Sequence, residues 1–250
     1  MDPDSYRDKN NKYLHMKELL EIYTHLGATF ATPIDECAKK LQQIKAFVFD
    51  WDGVFNNGVK GAQGGSDFSE VDSMGANLLR YSFYLKHKTN LPLTAVLSGE
   101  KNETAFYFCE REGFNYSFYK TGNKLEALKL LCEVEKIQPN EIAYFFDDVL
   151  DLSFAENCGL RFLINQKANP LFINYCKQHR LVDYISANSG GQHAIREISE
   201  LLISLNGNYS EVITSRKNNT ESYKIYLTKR KLIKPEFYTL KEDRLERTEK

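Results

Sequence analysis

The chain has 250 residues, of which 42% are hydrophobic and 27% charged, with a formal net charge of −1 at pH 7. This composition is typical of a globular protein with one sizeable α/β domain and extensions, or with two small domains. The balanced charge gives no reason to expect nucleic acid or an anionic membrane as a partner. No apolar run approaches the roughly 18 residues of a membrane span, and the polar N-terminus lacks a secretory core. Five scattered cysteines without a Cys-x-x-Cys pair indicate reduced thiols, so we expect a cytoplasmic protein.

The chain divides by pattern into three parts. Residues 1–44 predict an N-terminal helical extension, and residues 45–206 alternate regularly between strand and helix patterns. Residues 207–250 have an excess of Lys and Arg over Asp and Glu towards their end. We interpret them as a basic surface tail or a subunit-contact arm, in preference to a strap for nucleic acid.

The central part predicts five strands and the helices between them. The strands are expected at residues 45–50, 93–97, 115–119, 142–146 and 160–164. Helices are expected at 73–87, 103–112, 124–137, from 150, after 170 and at 190–205. Alternating elements of this kind indicate an α/β fold: a Rossmann-like, doubly wound parallel sheet with helices on both faces. The glycine-rich residues 53–72 predict a β-hairpin flap after the first strand.

Chemically useful side chains follow four of these strands. The first strand ends in Asp50 and Asp52, and the second is followed by Ser98. Lys124 begins the helix after the third strand, and the fourth strand is followed by acidic residues (Asp147, Asp148 and Asp151). The carboxyl ends of parallel strands share one edge of the sheet, so these groups can converge there.

Such a set suits phosphoryl transfer through an aspartyl-phosphate. One carboxylate attacks phosphorus, and a second carboxyl protonates the leaving oxygen and then deprotonates water. A hydroxyl and an ammonium bind the phosphoryl oxygens, and carboxylates with a backbone carbonyl hold Mg²⁺. Each feature alone has a plainer interpretation: an acidic turn, a serine turn, a solvated lysine, or an aspartate pair that caps a helix.

Together, the motifs resemble those of the haloacid dehalogenase superfamily of phosphatases. Its first motif, Asp-x-Asp-Gly, matches Asp50-Trp51-Asp52-Gly53, and its serine and lysine motifs match Ser98 and Lys124. Its fourth motif matches the segment from Asp147 to Asp151. The resemblance implies Asp50 as nucleophile and Asp52 as acid/base. It also implies a Mg²⁺ site that includes Asp50, the Asp52 carbonyl, Asp147 and Asp148, with Asp151 in support.

The short gaps between the motifs leave no room for a cap domain. The chain therefore resembles the capless members of the superfamily, such as 3-deoxy-D-manno-octulosonate 8-phosphate phosphatase and 2-keto-3-deoxynononate 9-phosphate phosphatase. The likeness runs from about residue 44 to residue 205 and implies a homo-oligomer, with a tetramer as the expected form. It also implies substrate or phosphate contacts from Gly53, Gly99, Asp72, Ser73 and Glu100.

The predicted function is a Mg²⁺-dependent phosphomonoesterase for a small phosphorylated sugar or sugar acid. Glu100 replaces an arginine of the octulosonate enzymes, which argues against their substrate, since a sugar-acid carboxylate is best bound by cations. Trp51 and Phe146 stand where smaller residues are common, and they indicate a tighter site or reduced activity. The alternative is a weak or inactive phosphatase fold that serves as a binding or assembly module.

Overall fold

The computed structural model describes residues 3–61, 65–87, 90–241 and 244–249, with side chains described from residue 15 onward. Among these residues the strands are β1 (Thr29–Phe30), β2 (Ala46–Asp50), β3 (Leu93–Leu97), β4 (Tyr116–Tyr119), β5 (Ile142–Phe146), β6 (Leu160–Leu163), β7 (Tyr184–Ile185), β8 (Glu236–Lys241) and β9 (Arg244–Thr248). The helices are α1 (Pro3–Leu26), α2 (Ile34–Leu41), α3 (Glu70–Lys86), α4 (Glu103–Glu112), α5 (Lys124–Glu135), α6 (Leu152–Ala155), α7 (Pro170–Gln178), α8 (Ala194–Asn206), α9 (Tyr209–Lys217) and α10 (Glu221–Lys231).

The strands form one sheet in the order β1-β7-β6-β5-β2-β3-β4-β8-β9. Its central strands are parallel, and an antiparallel pair closes each side, β1 with β7 and β8 with β9. The predicted Rossmann-like α/β fold is therefore confirmed. The chain order reverses at β2, which lies between β5 and β3, and open α/β sheets bind ligands at such a switch point.

The alternating side chains of the central strands build a core on each face of the sheet. On β2, Phe47 and Phe49 face a core that includes residues of α3 and α8, whereas Ala46 and Val48 face a second core with α5, α6 and α7. All five residues of β2 are buried, as expected for a strand covered by helices on both faces. The burial of β2 fixes the position of its last residue, Asp50.

The β-hairpin predicted for residues 53–72 is wrong. The described residues between β2 and α3 form no strand. The Asn56 side chain instead closes a compact turn: it accepts hydrogen bonds from the amides of Gly53 and Gly58 and donates to the Trp51 carbonyl. The glycines beyond this turn supply no side chains for the cross-strand pairs that would stabilise a hairpin.

The segment predicted as a C-terminal tail is folded. Helices α9 and α10 pack on the α3 side, where Tyr223 and Tyr226 are buried in the core. Strand β8 then pairs in parallel with β4, and β9 pairs with β8. The division at residues 44 and 206 stays a prediction. All five cysteines are free, and no helix in the described part of the chain combines the length and apolarity of a bilayer span.

Candidate active site

A cavity of about 560 Å³, lined mainly by polar and charged residues, opens at the carboxyl edge of β2, β3 and β5. Asp50 lies at the end of β2, Ser98 follows β3, and Asp147 follows β5. Lys124 is the first residue of α5, which begins after the neighbouring strand β4. Asp50, Asp52, Lys124 and Asp147 all line the cavity, so the convergence expected for parallel strands is present.

Lys124 and Asp50 form a buried ion pair at the floor of the cavity. The Lys124 ammonium donates to carboxylate oxygens of both Asp50 and Asp151, and all three side chains are almost fully buried. Tyr144, on β5, donates its hydroxyl to the same oxygen of Asp151. Burial alone would lower the pKa of Lys124, but the two carboxylates outweigh it and raise that pKa. Lys124 therefore stays charged.

Three carboxylates face one buried ammonium at this floor. Oxygen atoms of Asp50, Asp147 and Asp151 all lie within 4.8 Å of one another. Burial, opposed by Lys124 and reinforced by the neighbouring carboxylates, holds the pKa of Asp50 well above its usual range. Burial and Asp151 raise the pKa of Asp147 to about 7. Crowded carboxylate oxygens of this kind fit a hard divalent cation, which would stabilise their charged forms.

Not all of the predicted metal ligands belong to this cluster of carboxylates. Asp148 is exposed and does not join the three clustered carboxylates, whereas Asp151, predicted only as a supporting residue, does. Gln166 donates to the Gly53 carbonyl and, at 3.0 Å, to Oδ2 of Asp147. Gly53 has a φ of +81°, and a Cβ there would lie 2.0 Å from Oδ2 of Asp147. Only glycine therefore allows the first loop to approach Asp147 this closely.

Both carboxylate oxygens of Asp52 have hydrogen-bond or ion-pair partners. Oδ1 accepts a hydrogen bond of 2.6 Å from the Ser66 hydroxyl. Oδ2 accepts a hydrogen bond of 3.3 Å from the Ser98 hydroxyl and pairs at 3.3 Å with the ammonium of Lys60, which lines the cavity. Its carboxylate thus borders the space where a substrate would enter, beside the predicted nucleophile.

The predicted substrate contacts are only partly brought together. Gly53, Gly99 and Glu100 line the cavity, but Asp72 and Ser73 do not. Asp72 is fully buried at the start of α3 and accepts a 2.9 Å hydrogen bond from the Arg196 amide. Ser73 accepts a hydrogen bond from Arg111 instead. Both residues join α3 to neighbouring helices within this chain. Neither lines the cavity, and the substrate contact that the resemblance implied for them stays a prediction.

We expect Asp72→Asn to raise the free energy of unfolding at neutral pH. Burial, opposed by the Arg196 amide and by His193, raises the pKa of Asp72 to about 6, and its buried Oδ2 accepts no hydrogen bond and lies 3.7 Å from Nδ1 of His193. A carboxyl group with a raised folded-state pKa loses its contribution to stability as the pH rises through that value. The gain from the substitution should therefore grow between pH 4 and pH 6 and level off above, at no more than about 3 kcal/mol.

Urea unfolding of the wild type and of Asp72→Asn at pH 4.5 and pH 8 measures this gain. An equal difference at the two pH values would show that Asp72 is not the titrating group. Asp67→Asn is a matched control, because Asp67 is exposed.

The two bulky residues expected to crowd the site point away from the cavity. The Trp51 ring is fully buried and packs against Phe55 and Phe108, with ring centroids 5.2 and 5.5 Å away. Phe146 is fully buried on the opposite face of the sheet and stacks on Tyr144. Neither ring lines the cavity, so the expectation that they tighten it is wrong. Side chains alternate along a strand, and Phe146 therefore turns into the core while the loop after it carries Asp147.

Several residues in contact with this site could not be singled out from the sequence: Lys60, Ser66, Asn102, Tyr144 and Gln166. Tyr144 lies within a strand pattern, where nothing distinguishes it from its neighbours. The others lie in loops or at helix caps without periodicity, and none belongs to a motif. Only the tertiary structure brings them to the acidic residues.

Comparison with known proteins supports the fold. The 3-deoxy-D-manno-octulosonate 8-phosphate phosphatase KdsC of Escherichia coli strain K12 is 27% identical over 194 residues, covering 74% of this chain and 95% of its own. The Moraxella catarrhalis structure of such a phosphatase, solved with magnesium, phosphate and a KDO molecule, has a TM-score of 0.60 at 23% identity and covers 73% of this chain and 98% of its own. The cobalt-bound Haemophilus influenzae structure has a TM-score of 0.58 at 24% identity, covering 72% and 99%. No protein-family model matches the chain.

In sequence and in fold, the chain is similar to haloacid dehalogenase-like phosphoric monoester hydrolases. Within that class the chain is similar to the 3-deoxy-D-manno-octulosonate 8-phosphate phosphatases, as the sequence motifs indicated.

Proposed function

We propose that this protein is a Mg²⁺-dependent phosphomonoesterase that acts through an aspartyl-phosphate on a small phosphorylated sugar or sugar acid. The observation that carries the proposal is the buried Asp50, which is held by Lys124, faces Asp147, and opens onto a cavity bordered by Asp52. This arrangement places a nucleophile, a cation and an acid/base around one space.

The chemistry follows from these positions. A carboxylate oxygen of Asp50 attacks phosphorus and forms a P–O bond, while the bond from phosphorus to the sugar oxygen breaks. Asp52 donates a proton to that departing oxygen. Asp52 then takes a proton from water, whose oxygen attacks phosphorus, and the bond to Asp50 breaks to release inorganic phosphate. The Ser98 hydroxyl and the Lys124 ammonium bind the phosphoryl oxygens, where negative charge is spread in the transition state.

The metal would be held by Asp50, Asp147 and the Asp52 carbonyl. Asp151 already accepts hydrogen bonds from Lys124 and Tyr144, so its main part is to orient Lys124. When bound, Mg²⁺ neutralises the carboxylates and the phosphate dianion, which lets Asp50 approach an anion. The oxygen donors suit Mg²⁺ among the hard cations.

The substrate class rests on the relatives and on the lining of the cavity. The relatives are named for an eight-carbon sugar-acid phosphate. Among the described residues, Lys60 is the one cation besides Lys124 that lines the cavity, and Glu100 also lines it. A hydroxyl-bearing phosphorylated sugar fits such a mixed lining, because carboxylate and ammonium groups both bind hydroxyls. A homotetramer and a cytoplasmic location stay predictions.

The alternative of a binding or assembly module has little support. In the sequence it was favoured by Phe146, by the loss of arginines such as the one that Glu100 replaces, and by the two terminal extensions. Of these, Phe146 is packed in the core. The nucleophile, acid/base, lysine and clustered aspartates converge instead on one open cavity. A module kept only for assembly has no need to hold these charges together, since buried carboxylates are destabilising without a cation.

Phosphate release from a panel of sugar phosphates tests the proposal. We expect Mg²⁺-dependent hydrolysis of at least one sugar or sugar-acid phosphate, loss of activity with EDTA, and recovery when Mg²⁺ is restored. Cobalt serves as a parallel arm, because a related structure binds that ion. Metal-dependent binding without release of phosphate from any substrate would favour the binding module.

A further inference from the structure

The proposed acid/base Asp52 is connected to a chain of buried hydrogen bonds that no motif includes. The Ser66 hydroxyl lies 2.6 Å from Oδ1 of Asp52. The same hydroxyl oxygen lies 3.0 Å from the indole Nε1 of Trp51 and 2.9 Å from Nδ2 of Asn102. Trp51, Ser66 and Asn102 are all buried, with 0%, 6% and 2% of their surfaces exposed.

Two of these groups can act only as donors, and this sets the direction of the chain. The indole Nε1–H of Trp51 has no lone pair to accept a hydrogen bond. The Asn102 amide is oriented by its role as the N-cap of α4, where its oxygen accepts from the amides of Thr104 and Ala105. Its nitrogen is therefore the atom that faces Ser66, and Ser66 accepts two hydrogen bonds.

A hydroxyl that accepts two hydrogen bonds has one hydrogen left to donate. In Ser66 that hydrogen points to Oδ1 of Asp52, so Oδ1 is the acceptor and cannot carry a proton towards Ser66 without losing this bond. A proton on Oδ2 leaves the Ser66 bond intact, and Oδ2 becomes free to carry it when the Ser98 hydroxyl, which donates to Oδ2 at 3.3 Å, turns to the phosphoryl group. Oδ2 pairs at 3.3 Å with Lys60, which lines the cavity, whereas Ser66, the partner of Oδ1, does not line it.

We propose that Trp51, Ser66 and Asn102 are positioning residues that fix the Asp52 carboxyl and reserve Oδ2 for proton transfer to the leaving oxygen. This inference rests on the proposed function, since it assigns an atom to the acid step. It also gives Trp51 a part in the site: its ring packs in the core, and its only polar atom orients Ser66.

Dependence on the leaving group separates this role from a purely structural one. An alkoxide leaves poorly and needs the proton, whereas 4-nitrophenolate leaves well without it. For Ser66→Ala we expect kcat/KM to fall by about 10- to 100-fold with a sugar phosphate and by less than about 3-fold with 4-nitrophenyl phosphate. Ser66→Thr keeps a hydroxyl and should stay within about 3-fold of the wild type on both substrates.

Ser199→Ala is the matched control. Ser199 is a fully buried serine on α8 whose hydroxyl has no hydrogen-bond partner, so its loss removes no contact to the site. Equal losses on the two substrates in Ser66→Ala, or no loss on either, would overturn the positioning role. So would a Ser66→Thr variant as impaired as Ser66→Ala.

The single tryptophan provides a test that does not depend on activity. In ¹⁵N spectra of the full chain, the Trp51 indole proton should exchange slowly with water in the wild type and in Ser199→Ala. In Ser66→Ala its resonance should shift and its exchange should quicken. An unchanged indole resonance would overturn the hydrogen-bond chain itself. A wild type that hydrolyses neither substrate would overturn the proposed function, and with it the catalytic role, even where the indole shows that the bonds exist.

Discussion

Asp50→Asn should abolish phosphate release while the protein remains folded. The amide cannot attack phosphorus, so we expect kcat to fall by more than about 10⁴-fold, as when a nucleophile is removed from a covalent mechanism. Lys124 keeps Asp151 as an ion-pair partner in this variant. The substitution also removes a buried carboxylate whose pKa is raised by its burial and by the carboxylates beside it. We therefore expect the free energy of unfolding to change by less than about 2 kcal/mol.

Steady-state phosphate release with Mg²⁺ and saturating substrate measures this loss, and urea unfolding measures the stability. Asp67→Asn is the control, because Asp67 is exposed and does not line the cavity. It should retain wild-type activity. Activity in Asp50→Asn within about 10-fold of the wild type would exclude Asp50 as the nucleophile.

Lys124→Met should impair both the activity and the fold. The ammonium lies between the carboxylates of Asp50 and Asp151, with 6% of its side-chain surface exposed. Its removal leaves two buried negative charges without their cation, which typically destabilises a protein by about 3–5 kcal/mol. The loss of one positive group from the phosphoryl site should lower kcat by a further factor of about 10² to 10³ in the molecules that stay folded.

Lys129→Met on the same helix is the matched control. Lys129 is exposed and pairs with Glu126 at the protein surface, so its removal should change the free energy of unfolding by less than about 1 kcal/mol. Urea unfolding of both variants, measured in the presence of EDTA and at the same pH, compares their free energies of unfolding directly. Equal stabilities would show that the buried pair around Lys124 contributes nothing to the fold.

The residues of the proposed active site could be predicted from the sequence because simple rules place them. Asp50 is the last residue of β2 and Ser98 follows β3, and both strands are apolar and largely buried. The carboxyl ends of parallel strands meet at one edge of the sheet, whatever loops connect them. Lys124 begins an amphipathic helix with a clear start. These signals are local in the sequence, and the parallel sheet brings the residues that carry them to one edge.

The remaining features depend on contacts that no local pattern encodes. Ser66 reaches Asp52 because Trp51 and Asn102 hold its hydroxyl, and a loop serine has no periodicity that would reveal this. Asp72 was assigned to the substrate by resemblance alone, whereas its burial against the Arg196 amide gives it a structural part.

Two larger differences between the predicted and the observed fold also arise from contacts that no local sequence pattern encodes. The described residues form no hairpin because the Asn56 side chain makes hydrogen bonds with the backbone of residues 51–58. These bonds take the place of those that two paired strands would make. Strand β8 joins the sheet because β4 offers an open edge, and the basic composition of the C-terminal segment gave no sign of it.

The most direct measurement of whether Asp50 is the nucleophile is chemical trapping of the aspartyl-phosphate. The enzyme is quenched during turnover of a substrate found in the panel, reduced with borohydride, which converts phosphoaspartate to homoserine, and mapped by mass spectrometry. We predict homoserine at position 50 in the wild type only when substrate and Mg²⁺ are both present, and none in Asp50→Asn. Active enzyme that yields no homoserine at position 50, or yields it at Asp52 or Asp147, would contradict the proposed mechanism.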